Sequence, residues 1–175
     1  DPLFDQLLLR HTHRGDFDIN REITPATLHT LLANSAANGT IESGLRQTLR
    51  DQSWQAMQIE LSAAEPAAEN ARLTRIGKQQ IIANPDGLSM SGPLFELMNK
   101  VGFLTQQAMQ DPNSAAMQSG LASIQARMAT AMGYVWLPSE NNSRAAQLNA
   151  GKQWLRLHLQ ATKLGLMVQP LSQAL

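Results

Sequence analysis

Apolar positions along the chain recur mostly at helical spacing. Asp1-Pro2 reads as a cap with proline in the first helical position. Leu3, Phe4, Leu7 and Leu8 then predict a short helix ending near Leu9. After the polar stretch 10–20, Thr24-Pro25 starts a second helix with Leu28, Leu31 and Leu32 as its buried stripe, and Asn38-Gly39 stops it. Another helix covers 41–50. Over 54–61 the period changes: Met57, Ile59 and Leu61 alternate with Gln58 and Glu60, the pattern of a half-buried strand. Residues 63–83 return to helix, with Pro66 confined to the first turn and Asn84-Pro85-Asp86-Gly87 closing it.

Two more helices are predicted over 93–110 and 114–131, separated by Asp111-Pro112-Asn113. The run 132–137, with Tyr134, Val135 and Trp136 and ended by Pro138, predicts a second strand that is apolar on both faces and therefore central. A long helix over 143–164, capped by Asn142 or Ser143 and stopped by Gly165, carries two apolar stripes. Leu148, Leu155 and Leu159 form one; Ala150, Trp154, Leu157 and Ala161 form the other. So wide an apolar surface predicts deep burial. Gly151 in its middle costs about 1 kcal/mol of helix propensity relative to Ala, which predicts a close approach of another backbone or a ligand.

Composition agrees with a helix-rich globular chain. Of 175 residues, 43% are hydrophobic and 16% charged, with Leu, Ala, Gln and Met prominent. Fourteen Lys and Arg balance fourteen Asp and Glu, so the electrostatic footprint of a nucleic-acid binder or a polybasic membrane binder is missing. No apolar run approaches the roughly 20 residues of a membrane span. The absence of cysteine excludes disulfides, thiolate metal sites and a cysteine nucleophile.

The densest polar cluster is Arg10-His11-Thr12-His13-Arg14. In an extended segment residues 10, 12 and 14 share one side, where two guanidiniums and a hydroxyl suit a phosphate; the same residues also read as a solvated basic loop. His11 and His13 with Asp16 make an alternative ligand set for a metal. That reading is set aside because the two histidines then face away from the anion side and no helical His-x-x-x-His supports them. His29 and His158 stand alone and read as packed or surface residues. No G-x-S-x-G, P-loop or G-x-G-x-x-G occurs.

The order of these pieces resembles the FMN-dependent nitroreductase family. Residues 10–17 resemble its R-x-[ST]-x-R-x-F signature, followed by a proline-started helix, and 54–61 falls where the family has its first long strand. The stretch 69–88, then 133–137, the helix over 143–164 and the block 165–173 resemble the long-chain, often Tat-exported branch, in its second half. The resemblance implies an α+β fold with helices packed around a small central sheet, in a single domain over 1–175. It also implies a chain incomplete at its C-terminus, since the family continues past the point where Leu175 stands.

By the same resemblance, Arg10, Thr12 and Arg14 hold the FMN phosphate and ribityl chain and Asn70 is a further polar contact. Pro170, Leu171, Ser172 and Gln173 run along the isoalloxazine edge. Gln173 departs from the glycine common there, a costly change if that position needs a positive φ. The implied function is NAD(P)H-dependent reduction of nitroaromatics, quinones or similar acceptors, with the flavin performing the chemistry and no catalytic side chain of the protein's own. Its partners are the nucleotide, a small aromatic acceptor, and either a second copy or a second nitroreductase-like half; neither nucleic acid nor membrane is expected. A non-catalytic flavin-binding or storage module, or a relative that has lost flavin, uses the same residues. The compartment stays open: periplasmic if a Tat signal has been removed, cytoplasmic otherwise.

Overall fold

The structure is a computed structural model that describes residues 2–172. Among the described residues the chain divides into two compact units, one formed by 2–53 and 127–172, the other by Trp54–Ala126. Both mix helix and strand. The α+β expectation is met at that level, but the strands form two separate two-stranded ladders, one in each unit, in place of one central sheet.

In the first unit a 3-10 helix, Phe4–Gln6, precedes α1 (Pro25–Leu32) and β1 (Asn38–Thr40). The Thr24 hydroxyl accepts from Thr27 N–H and Pro25 opens the helix, as the sequence signals. Helix α1 ends at Leu32, six residues before Asn38-Gly39, which lies in β1 and not at a helix stop. Strand β1 pairs antiparallel with β4 (Tyr134–Trp136), Gly39 opposite Val135. The expectation of a central strand fails here: β4 has a single partner, and Trp136 is 40% exposed.

The chain then enters α2 (Ser43–Ser62), which runs straight through the predicted strand 54–61. Met57 and Leu61 are both buried while Ile59 is 71% exposed. Positions 57 and 61 fit either period, so the alternation rested on Ile59, and the helix formers between them decide for helix. Glu42 starts α2: its carboxylate accepts from the N–H groups of Leu45 at 2.6 Å and Gly44 at 2.7 Å. Along the same helix Arg46 donates to the Met132 carbonyl and Arg50 to that of Ala131, which ties the connector before β4 to α2. Burial raises the Tyr134 phenol above its ordinary value.

The second unit contains α3 (Ala64–Leu73), β2 (Thr74–Ile76), α4 (Gly77–Ala83), β3 (Leu88–Met90), α5 (Pro93–Lys100) and α6 (Gln106–Gln110), and most of α7 (Ala115–Ala129). The single helix predicted over 63–83 is thus interrupted by β2. Thr74 turns to an extended backbone, and its buried hydroxyl donates to the Asn70 carbonyl at the end of α3. Strand β2 lies parallel to β3. Gly87, at φ +67°, makes the tight turn into β3, and a Cβ there would stand 2.1 Å from the Leu73 carbonyl oxygen. The helix expected over 93–110 breaks after Lys100 at Gly102, φ +78°. Ile76, Leu104 and Ala116 form the buried core of this unit, with Met90, Met98 and Met109 against them.

Helix α8 (Arg144–Lys163) carries the core of the first unit. The Ser143 hydroxyl caps it by accepting from Ala146 N–H. Gly165 closes it at φ +70°, with Leu166 N–H donating back to the Ala161 carbonyl and Gly165 N–H to that of Thr162. Leu157 and Ala161 are buried with Leu31 and Ala37, and Trp154, Val135, Leu166 and Val168 pack around them. Each fully buried leucine contributes about 1.5–3 kcal/mol. Burial is confined to the second half of α8, however: Leu148 is 55% and Leu155 42% exposed. A Cβ at Gly151 would meet nothing within 4 Å, so the expected close approach is absent among the described residues.

Two outcomes follow. Gly151→Ala should raise stability by about 0.5–1 kcal/mol, read as a shift in the urea midpoint, because the site is open and helical. The hydrogen bonds from Leu45 and Gly44 hold the Glu42 carboxyl below its ordinary value of 4.5, so its capping contribution is complete above that pH and lost as pH falls through the lowered value. Glu42→Gln should therefore be the less stable protein at neutral pH, and its deficit should shrink in acid. Urea midpoints at neutral and strongly acidic pH check this.

Candidate functional site

The arginine-rich segment and the C-terminal block meet in the first unit. Thr12 forms a parallel bridge with Val168, and His13 N–H donates to the Val168 carbonyl at 3.0 Å. Thr12 and His13 are thereby held beside the chain that leads into Pro170. This junction joins stretches near opposite ends of the sequence.

Three further elements fix the segment. Arg10 Nη1 donates to Nδ1 of His158 on α8 at 3.5 Å, and His158 Nε2–H donates to the His11 carbonyl at 3.2 Å. At the end of α7, Arg127 donates to the Arg14 carbonyl at 2.5 Å. Beyond α7, Thr130 Oγ1 accepts from Phe17 N–H at 2.9 Å while donating to the Arg127 carbonyl. His13 closes the following turn, its Nε2 donating to the Asp16 carbonyl at 3.0 Å and its ring lying 5.0 Å from that of Phe17. His11 Nδ1 donates to the Leu9 carbonyl. Each of these two rings thus has a backbone partner, and among the described residues no group of three or more His, Cys, Asp or Glu gathers to hold a metal.

The side chains differ in setting. Arg10 and Thr12 are half-buried, whereas Arg14 is exposed. Among the described residues the ion pairs are Arg72 with Glu69 and Arg75 with Asp86, so neither Arg10 nor Arg14 has its charge matched by a carboxylate. Pro170 and Ser172 are exposed and Leu171 half-buried, in a segment without regular structure; Gln173 lies outside the described residues. Asn70 sits half-buried in α3 of the second unit.

Two clefts border α8. One, of about 330 Å³, is lined by Leu137, Pro138, Asn141, Asn149 and Gln153 among others; the smaller, of about 110 Å³, by Leu3, Phe4, Leu7, Arg156 and Leu159. Neither is lined by Arg10, Thr12 or Arg14. None of the described helices is long and apolar enough to cross a membrane.

Sequence reading missed His158, Arg127 and Thr130. No local motif marks them, because each is defined by a partner more than 100 residues away. The one available signal for His158 was its position between Leu157 and Leu159, next to the buried stripe of α8. No family model matches the chain, and no curated protein or solved structure matches it either.

The Thr130 hydroxyl satisfies a backbone donor that valine cannot. Thr130→Val should cost about 1–2 kcal/mol and speed amide exchange at Phe17, measured by urea unfolding and by hydrogen exchange.

Proposed function

We propose that this chain is an FMN-binding module of the nitroreductase type, working in NAD(P)H-dependent reduction of nitroaromatics, quinones or similar acceptors. The observation that carries the reading is the Thr12–Val168 bridge, which brings the R-x-T-x-R segment beside the block containing Pro170, Leu171 and Ser172. Two arginines and a threonine within five residues, with no carboxylate matched to either guanidinium among the described residues, fit a phosphate monoester dianion. Arg10 and Arg14 would supply charge-assisted hydrogen bonds to the phosphate, and Thr12 a hydroxyl. Bound flavin supplies the hydride chemistry.

The protein's own part is to orient and cover. Thr12 and His13 hold the backbone of the clamp on Val168, and His158 holds Arg10. The clefts beside α8 do not reach the clamp, so covering the isoalloxazine falls to a second copy or a nitroreductase-like partner half, as in the family the sequence resembles. The exposure of Pro170 and Ser172 beside the clamp is compatible with that arrangement. Storage without turnover rests on the same contacts and differs only in the response to reductant.

An absorption spectrum of the purified protein mixed with FMN, before and after anaerobic NADH or NADPH, tests the proposal. Bound flavin that bleaches supports the enzyme; bound flavin that stays oxidised supports storage. Arg10→Ala should weaken FMN binding by one to two orders of magnitude, since each charge-assisted contact is worth about 1.5–3 kcal/mol. Unchanged affinity in both Arg10→Ala and Arg14→Ala, titrated by flavin fluorescence, removes the assignment.

A further inference from the structure

His158 is a buried titratable group, 2% exposed, that links two distant pieces of the first unit. Both ring nitrogens are committed, in opposite senses. Nδ1 accepts from Arg10, Nε2–H donates to the His11 carbonyl, and the Trp154 ring one turn earlier lies 5.6 Å away. A guanidinium can only donate and a carbonyl can only accept, so these partners require the neutral Nε2–H tautomer. A protonated ring has no lone pair left for Arg10 and sets two cations face to face.

We infer that His158 is the positioning residue that docks segment 10–13 onto α8, and that acidification undocks it. The inference goes beyond the flavin reading and does not depend on it, because the docked segment is a property of the chain without ligand. Arg10 and His11 are the charged and titratable groups that face the ring from this segment. Of the elements packed against α8, the 3-10 helix carries Asp5 and α1 carries His29, both exposed. The stretch 166–172 has no titratable side chain.

Burial first, and then the Arg10 charge, hold His158 below its ordinary value of 6.5. The unfolded chain therefore takes up this proton at a higher pH than the folded one. Docking contributes fully above about pH 6.5 and weakens as pH falls from there through the lowered folded value.

The His13 amide, which donates to Val168, reports docking directly. Its hydrogen-exchange protection, corrected for intrinsic exchange, should fall by about tenfold or more between about pH 7.5 and pH 5 in the parent protein. In His158→Gln, which keeps a donor and an acceptor but does not titrate, protection should persist across the same range. Constant protection in the parent, or an equal loss in the glutamine variant, overturns the inference. Should that variant fail to fold, the His158 ring titration in the parent followed by NMR decides: a midpoint below 6.5 supports docking by the neutral ring, and one at or above 6.5 overturns it. Loss of FMN binding with this pH response intact would count against the flavin proposal alone.

Discussion

Burial of the second half of α8 is the constraint on which the first unit depends. Leu157, His158, Leu159 and Ala161 are all sequestered, and α1, the 3-10 helix and the segment before Pro170 take their places around them. The first half of the same helix does no such work. It carries Arg144, Lys152 and exposed Leu148, with no acidic residue, so it is held by its Ser143 cap and its backbone ladder. One helix thus serves as core at one end and as surface at the other.

That division also shows how much could be read from residues alone. Caps and stops were legible where their chemistry is local: Thr24-Pro25, Ser143, Gly165 and the turn through Gly87 all stand where the sequence puts them. Elements defined by tertiary partners were not. The strand expected over 54–61 failed because two of its three apolar positions also lie four residues apart, and only the exposure of Ile59 separates the two periods. Strand β2 escaped notice inside a helical composition because three residues are too few to set a period; its pairing with β3 creates it. The wide apolar surface of α8 predicted deep burial, yet Leu148 and Leu155 on it are exposed and a Cβ at Gly151 would meet nothing within 4 Å.

The candidate site was legible as two fragments and not as a place. Arg10, Thr12 and Arg14 place two guanidiniums and a hydroxyl within five consecutive residues, whereas 165–172 around Pro170 carries no charged residue. Their meeting is a backbone event at Thr12 and Val168, which carries no side-chain signature. The residues that hold the segment, His158, Arg127 and Thr130, contribute a ring, a guanidinium and a hydroxyl to backbone carbonyls and amides, and sequence spacing is blind to such pairs.

The span between Arg10 and His158, 148 residues, has a consequence for how the molecule is made. The first unit is closed by contacts between stretches near opposite ends of the sequence, with the whole of the second unit inserted between them. Such high-separation contacts add loop-closure entropy and slow folding. On a ribosome adding about 5–20 residues per second, the segment around Arg10 waits roughly seven to thirty seconds before α8 exists to receive it. Trp54–Ala126 meets no such delay, since it is continuous and emerges first as a whole. The second unit should therefore fold before the first is closed, leaving Leu3, which is buried in the folded unit, open to chaperones in the interval.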